Sequence, residues 1–234
     1  MTPPGVVAAL WRYPVKSMLG ERCQSLALTG RGVEGDRLYA IRDADGKLGS
    51  GKSTRRFRRI DGLFTFHAVY DGDVPVIAFP DGRRLRGDDG SVHGALSAAL
   101  GQPVTLAREA AISHMDAGPV HLLTTASLAW LRGRLPAARL DERRFRPNVL
   151  VDVPGASSIE REWLGRTVAV GAEVRLAVRD MTERCAMVSL AQSELPGDPA
   201  ILRTLAQDAG LDFGVYADVV APGRISVGDR VGVV

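Results

Sequence analysis

The chain has 234 residues, of which 45% are hydrophobic and 24% are charged, a composition typical of a globular protein. This apolar content is enough to bury a core and excludes a mostly disordered chain. The 30 Lys and Arg residues against 27 Asp and Glu residues give a net charge of only +3, so charge alone does not indicate a polyanionic partner.

Cysteine content and apolar runs predict the compartment. The two cysteines, Cys23 and Cys185, lie far apart in the sequence, so a secreted domain held by disulfides is not expected. No charged segment followed by an apolar run opens the chain, and the longest apolar runs are far shorter than the roughly 20 residues of a membrane helix. We therefore expect a cytoplasmic protein that does not bind membranes.

The first hundred residues are predicted to form short strands separated by turns rich in Gly and Asp. These strands span residues 6–13, 24–29, 37–42 and 64–70. A helix is predicted between Ser91, as its N-cap, and Gly101, just past its end. Residues 101–117 form the predicted linker zone, and we expect two domains, 1–105 and 106–234.

The second half mixes helices and strands. A helix over residues 126–135 is predicted after the capping residues Thr124 or Thr125, and Pro136 ends it. A second helix is predicted over 199–209, with Gly210 as its C-cap signal. Strands are predicted over 147–153, 166–170, 174–179, 213–220 and 230–234. The fold class predicted from this order is mainly β, with α+β character at its margins: two barrel-like domains with a few short helices.

Residues 46–53, GKLGSGKS, match the phosphate-binding loop pattern G-x-x-x-x-G-K-[ST]. A nucleotide hydrolase acting through Lys52 is therefore one hypothesis. That loop requires a strand before it and a packed helix after it, whereas residues 54–62 are short, highly charged and interrupted by Gly62. A chance match within a glycine-rich hairpin is the better interpretation.

A basic segment follows this motif. It contains Lys52, Arg55, Arg56, Arg58 and Arg59, which is one feature of a nucleic-acid-binding patch. Only one aromatic residue lies among them and the rest of the chain is nearly charge-balanced, so we expect no nucleic-acid partner. A solvated hairpin or an anion-binding rim is favoured.

Several segments, taken in order, resemble the MOSC family. They are Tyr13-Pro14-Val15-Lys16-Ser17, Gly35-Asp36-Arg37, Arg144-Phe145-Arg146-Pro147-Asn148, Trp163-Leu164-Gly165-Arg166, Arg184-Cys185, Phe213-Gly214-Val215-Tyr216 and residues 222–229. The chain is most similar to the members with an N-terminal β-barrel domain, which include the amidoxime-reducing components. The resemblance spans nearly the whole chain and implies a molybdenum cofactor (molybdopterin) bound between the two domains.

Cys185 is the metal ligand that this resemblance implies. A thiolate is a suitable soft ligand for molybdenum, and Arg184 and Arg179 supply positive charge nearby in the sequence that favours a thiolate. The alternative from the residues alone is a buried, inert cysteine. Cys23 matches no position of the family.

The resemblance also implies which residues contact the cofactor. Arginine forks and a lysine suit its phosphate, and an amide suits the edge of its pterin. The implied residues are Lys16, Ser17, Arg37, Ser127, Arg146, Asn148 and Arg184. Lys52 and Arg55 are weaker candidates for the same anion-binding rim.

Two departures from the family pattern stand near Cys185. Glu183 occupies the place where the family often has a proline, and Met187-Val188-Ser189-Leu190 replaces a usual pair of threonines and an aspartate. Metal binding is still expected, whereas the substrate preference is open.

The resemblance implies reduction of N-hydroxylated compounds such as amidoximes and hydroxylamines. The chain has neither a second cysteine cluster for an iron–sulfur centre nor a Rossmann glycine fingerprint, so we expect an external electron donor, a ferredoxin or a flavin reductase. The four histidines lack the spacing of a zinc hydrolase, and His121 is the first choice for an accessory acid. The alternative function is a non-catalytic cofactor carrier or sulfur-transfer protein that uses Cys185.

Overall fold

The computed structural model describes residues 4–234, which are mainly β-strand. In chain order the strands are β1 (Gly5–Arg12), β2 (Glu21–Cys23), β3 (Ser25–Thr29), β4 (Gly32–Val33), β5 (Tyr39–Asp43), β6 (Leu48–Ser50), β7 (Phe57–Arg59), β8 (His67–Asp71), β9 (Val74–Ala78), β10 (Arg84–Arg86), β11 (Val104–Arg108), β12 (Val120–Thr124), β13 (Val149–Asp152), β14 (Thr167–Val170), β15 (Val174–Glu183), β16 (Asp212–Ala221), β17 (Gly223–Ser226) and β18 (Arg230–Val233). The α-helices are α1 (Val92–Leu100), α2 (Thr125–Arg134) and α3 (Pro199–Ala209), and 3-10 helices span Leu63–Thr65, Glu142–Phe145, Ile159–Trp163 and Ala186–Ser189.

A closed barrel of seven strands forms the larger part of the molecule. Its strands pair in the order β13-β12-β16-β15-β14-β18-β1, and the antiparallel pairing of β1 with β13 closes the ring. Closure leaves no free edge within the ring, which protects the sheet from pairing with other chains. The barrel therefore joins β1, from the start of the chain, to strands from its second half.

Apolar side chains that point inward from the strands form the barrel core. Val7 and Leu10 of β1 join Val149 and Val151 of β13 inside it, and the register between β1 and β13 shifts between Val7 and Ala9. Ala9 instead joins a second cluster formed with α2 and α3. The barrel is thus filled by valine and leucine and covered outside by two helices.

Local signals define the ends of these helices. The Thr124 side chain accepts a hydrogen bond from the Ser127 amide and caps α2, and Asp198 caps α3 in the same way. Gly210 follows α3 with a left-handed φ of 60°, a conformation that glycine adopts without steric cost. These boundaries agree with the sequence-based prediction.

The remaining strands enclose a second core. β5, β6, β7 and β11 form one sheet and β8, β9 and β10 form another. Ile41 of β5, Ile77 of β9, Leu96 of α1 and Leu106 of β11 pack together in this core. The short sheet β17-β3-β4 packs against the barrel core instead.

The predicted mainly β, barrel-like fold is confirmed. Residues 64–66, predicted as strand, are not: Gly62 at φ 86° begins a 3-10 helix there, and β8 starts at His67. The short strands β2, β4, β6, β7, β9, β10, β11, β12 and β17 were not predicted, because two to five residues carry too little alternation to be recognised. The boundary near residue 105 stays a prediction. In residues 4–234 no helix has the length and apolar character needed to cross a membrane.

Candidate functional site

A cavity of about 430 Å³ brings together residues from both ends of the chain. Seven residues predicted to belong to the site line it: Ser17, Arg37, Lys52, His121, Arg146, Arg184 and Cys185. Its wall is completed by Phe57, Asp116, Ala117, Arg144, Phe145, Asp180, Met181, Glu183, Met187, Val188 and Tyr216. Five basic side chains against three acidic ones make this cavity suited to an anion.

Cys185 lies between the end of β15 and the 3-10 helix Ala186–Ser189, for which it is the N-cap residue. Its thiol is free and the residue is partly buried. Arg179, predicted to add positive charge near this thiol, instead pairs with Asp180 and Asp218. Arg184 is therefore the basic neighbour whose charge interacts with Cys185.

Arg184 is held by three acceptors inside the protein. Its Nε donates to the Phe213 carbonyl at 2.8 Å, and Nη1 donates to the Phe145 carbonyl at 3.0 Å. Its Nη2 lies 2.7 Å from Nε2 of His121. Burial lowers the pKa of Arg184 to about 10, which leaves the guanidinium charged at neutral pH.

His121 is placed to accept this hydrogen bond. Nδ1 of its ring lies 3.2 Å from the Arg146 carbonyl, and burial followed by the Arg184 charge lowers the pKa of His121 well below its ordinary value. The ring is therefore neutral, with both nitrogens engaged. Its role as an accessory acid stays a prediction that this arrangement does not favour.

Arg37 and Arg146 approach one aromatic ring. Their guanidinium carbons lie 4.9 and 4.1 Å from the centroid of Tyr13, a distance suited to cation–π attraction. Nη1 of Arg146 donates to the Met18 carbonyl at 2.6 Å, whereas its Nη2 is buried with no hydrogen-bond partner in the described part of the chain. Burial lowers the pKa of Arg146 to about 10. An unpaired donor in this cavity favours an acceptor from a ligand.

Asp36 keeps Arg37 charged. The Asp36 carboxylate accepts from the Arg37 guanidinium and from the Tyr13 amide. Burial opposes the charge on Arg37, but Asp36 acts together with Asp116, Tyr13 and Tyr216 to outweigh burial and raise the pKa of the guanidinium. Arg37 thus brings a fixed positive charge to the cavity.

Lys16 and Ser17 lie side by side but differ in access to the cavity. Ser17 lines it, with a left-handed φ of 64°, and donates from Oγ to the Gly49 carbonyl at 3.2 Å. Lys16 is 2% exposed and reaches the wall indirectly, because its Nζ pairs with Asp116 at 2.6 Å. Burial lowers the pKa of Lys16.

The segment that matches the phosphate-binding loop is a hairpin. The Gly46 amide donates to the Asp43 carbonyl at 3.0 Å, in the turn that joins β5 to β6. β7 follows Lys52 and pairs in parallel with β6, so a strand stands where the loop would need a helix. The preference for a hairpin is confirmed. Lys52 lines the cavity, whereas Arg55 is exposed and lies outside it.

Ser127 and Asn148, implied by the family resemblance, are not brought to the cavity. Ser127 is buried and donates from Oγ to Glu160 at 2.7 Å. The Asn148 Oδ1 accepts from the His121 amide at 3.1 Å, and its Nδ2 donates to the Trp11 carbonyl at 3.3 Å. Both side chains are therefore committed to contacts that stabilise the barrel.

Sequence reasoning missed five polar wall residues: Asp116, Arg144, Asp180, Glu183 and Tyr216. Asp116 lies in the predicted linker zone, where nothing local distinguishes it. Tyr216 belongs to a segment quoted for the resemblance, and its ring centroid lies 5.6 Å from that of His121. Only the contacts across the cavity identify them. In residues 4–234 no group of three or more His, Cys, Asp or Glu side chains is placed to hold a metal ion.

Comparison with known families gives two matches. The model described as MOSC domain matches residues 89–232, and the model described as MOSC N-terminal beta barrel domain matches residues 4–85. No curated protein matches the sequence.

A solved structure shares the fold at low sequence identity. The crystal structure of the YuaD protein from Bacillus subtilis is similar with a TM-score of 0.56 and 13% identity, over 98% of this chain and 94% of that chain. The crystal structure of YiiM from Escherichia coli has a TM-score of 0.45 and 13% identity, over 99% of this chain and 68% of that chain.

Proposed function

The chain belongs to the MOSC domain family, and we propose that it is an oxidoreductase that holds a molybdenum cofactor in the cavity around Cys185. MOSC domains are associated with binding of this cofactor in general. The proposed reaction reduces an N-hydroxylated compound, such as an amidoxime or a hydroxylamine, with electrons from a separate redox partner. A reducing, cytoplasmic setting suits the free thiol.

One observation carries this proposal: a free thiol shares one cavity with five basic side chains. The cofactor combines a metal that favours sulfur ligands with an anionic phosphate. Cys185 offers the sulfur, and Arg37, Arg146 and Lys52 offer charge-assisted donors for the phosphate. The buried, unpartnered Nη2 of Arg146 supports the fit, because a ligand oxygen would satisfy it.

The surrounding residues hold this arrangement in place. Arg184 is fixed by two carbonyls and by His121, so its charge stays beside the thiol of the next residue. The walls at Phe57, Phe145 and Val188 are apolar and reduce the water around these charges, which strengthens electrostatic contacts.

Reduction of an N–OH group consumes two electrons and two protons and releases an amine or amidine and one water molecule. When bound, the cofactor supplies the two-electron redox chemistry that cleavage of the N–O bond needs. The electrons come from the external donor, a ferredoxin or a flavin reductase. The protons must reach the substrate through the cavity, because both ring nitrogens of His121 are engaged.

Molybdenum analysis tests the proposal. Wild type and the variants Cys185→Ser and Cys23→Ser are purified from a host that makes the cofactor, and their metal content and N-reductive turnover are measured. We expect wild type and Cys23→Ser to hold about one molybdenum each and to be active, and Cys185→Ser to lose both properties. Cys23→Ser is the matched control because Cys23 lies on β2, outside the cavity.

Two outcomes would contradict the proposal. Wild type without metal, or Cys185→Ser with both metal and turnover, rejects the assignment of Cys185 as a ligand. A persulfide on Cys185 in a protein without metal would instead support the sulfur-transfer alternative, and mass spectrometry of the intact protein detects it.

A further inference from the structure

A second cavity, of about 620 Å³, is lined by residues of the barrel strand β1, of β2, and of β8 and β9. Trp11 of β1 and Arg22 of β2 belong to its wall, as does Phe79, which follows β9. Among the described residues only Arg146 lines both this cavity and the one around Cys185. The proposed function leaves this space unused, although its volume lies within the range of small-molecule sites.

Trp11 and Arg22 stand next to each other on the wall of the second cavity. They lie directly opposite each other in the antiparallel ladder of β1 and β2, and side chains at such positions share one face of a sheet. An indole N–H and a guanidinium can donate hydrogen bonds but cannot accept them. The ladder therefore brings two donor side chains together at this wall.

The donors of both side chains are unused. Nε1 of Trp11 is buried with no hydrogen-bond partner in the described part of the chain. Arg22 is exposed, and within residues 4–234 its guanidinium forms neither an ion pair nor a hydrogen bond. A buried donor without an acceptor is unfavourable, and an acceptor from a ligand would satisfy it.

The acidic side chain of this wall is already paired. Glu21 accepts a hydrogen bond from Nε of Arg12 at 2.7 Å. Arg143, also on the wall, donates two parallel hydrogen bonds of 2.8 Å each to Asp141. Among residues 4–234 the wall thus offers no free carboxylate to a cation, whereas Arg22 offers a free cation to an anion. The charges favour an anionic ligand.

Apolar side chains form much of the remaining wall. Leu19, Val69 and Phe79 contribute to it. Phe79 is buried, and its ring meets that of Phe66 edge to face with the centroids 5.2 Å apart, so its position is fixed by packing. Together with the indole of Trp11, these side chains give a surface suited to a flat aromatic ring.

We propose that the second cavity binds a small aromatic carboxylate. The Arg22 guanidinium matches a carboxylate with two parallel charge-assisted hydrogen bonds, and the indole N–H of Trp11 provides a further donor beside it. The ring of the ligand packs on the apolar part of the wall. This inference does not depend on the proposed function, because Cys185 does not line this cavity.

Binding of two matched probes at pH 7 tests the inference. Cinnamate is an aromatic carboxylate, and cinnamamide is its neutral counterpart of similar shape. Their dissociation constants are measured by calorimetry for wild type, Arg22→Gln, Arg84→Gln and Lys52→Gln. Arg84 is an exposed arginine on β10, outside both cavities, and is the matched control. Lys52 lines only the cavity around Cys185, so its variant reports binding there.

We expect wild type to bind cinnamate about tenfold more tightly than cinnamamide. Arg22→Gln is expected to bind the two probes about equally, because it loses the charged partner of the carboxylate. Arg84→Gln and Lys52→Gln should retain the preference of wild type. Arg22→Gln should unfold at the same temperature as wild type, since the exposed guanidinium contributes no contact, and thermal unfolding checks this.

The inference is overturned if wild type shows no preference for cinnamate or if Arg22→Gln retains that preference. Loss of the preference in Lys52→Gln would place the probe in the cavity around Cys185. Loss in Arg84→Gln would show attraction to surface charge in general. Either of these results also rejects the second cavity as the binding site.

Discussion

Nη2 of Arg184 donates to Nε2 of His121 across 2.7 Å, inside a region where the two residues are 8% and 3% exposed. Because a guanidinium only donates, Nε2 must be the acceptor and the ring proton resides on Nδ1. Protonation of His121 would place two cations in contact. The free energy of unfolding is therefore expected to depend on pH through this pair.

Replacing His121 with glutamine tests this coupling. The pKa of His121 is lowered in the folded protein, whereas the unfolded chain titrates near 6.5. Below pH 6.5 the unfolded chain takes up a proton that the folded protein excludes. The contribution of neutral His121 to the free energy of unfolding is therefore fully present above pH 6.5 and is lost as the pH falls below it.

We expect wild type to lose up to about 1.4 kcal/mol per pH unit more than His121→Gln between pH 6 and 5. Glutamine retains an acceptor for Arg184 and a donor for the Arg146 carbonyl. Urea unfolding of both proteins at the two pH values measures the difference. Parallel curves for the two proteins would show that His121 is protonated in the folded state.

Gly214→Ala is expected to destabilise the protein by about 3 kcal/mol. Gly214 has a φ of 83°, and a Cβ placed there would lie 2.4 Å from Nε2 of His121. Gly82→Ala is the matched control, because its φ is 88° and, in residues 4–234, no atom beyond its chain neighbours lies within 4 Å of the added carbon. The control should cost only about 1 kcal/mol. Equal losses in urea unfolding would contradict the close packing of Gly214 on His121.

Ser127→Ala is expected to reduce stability without reducing cofactor content. Its hydroxyl donates to the buried carboxylate of Glu160 at 2.7 Å, so its removal should cost about 1–3 kcal/mol. Arg146→Met, at the cavity wall, should instead lower the molybdenum bound per folded protein. Unfolding curves and metal analysis separate the two effects. Loss of metal in folded Ser127→Ala would place Ser127 in the site after all.

Asp116→Asn is expected to destabilise more than Lys16→Met. The lysine is buried, so removing Asp116 leaves an unpaired ammonium there, whereas removing Lys16 leaves a carboxylate that is 48% exposed. The cost of Asp116→Asn should be about 2 kcal/mol, below that of a fully buried pair because water screens the exposed partner. Denaturant unfolding at pH 7 compares the variants, and the reverse order would contradict this account.

Glu160 shows what local sequence signals miss. It is buried and accepts hydrogen bonds from Thr124 and Ser127, and burial raises its pKa. These partners lie 36 and 33 residues away, and no periodicity reports contacts at such separations. The family resemblance assigns Ser127 to the cavity. The structure instead shows that its hydroxyl donates to Glu160.

The sequence was sufficient to predict several residues of the cavity, because their order along the chain resembles a known family. These residues are Ser17, Arg37, Arg146, Arg184 and Cys185. Asp116 could not be predicted, since its ion pair with Lys16 spans 100 residues. The sequence also does not show that Glu183 lines the cavity, because that depends on how β15 pairs with β16. A motif identifies the chemistry that a residue type can perform. Only the folded structure shows whether its side chain is available to a ligand or already hydrogen-bonded within the protein.

The sequence by itself determined that this protein is mainly β, where its longer strands and helices lie, and that a cysteine and several arginines are candidates for one site. Alternation, caps and glycine signals act over a few residues, so they can be read locally. The tertiary structure alone decided that β1 closes the barrel beside β13, that Ser127 and Asn148 support the fold, and that Asp116 pairs with Lys16. These outcomes depend on contacts between distant residues, because burial and pairing are properties of the folded chain.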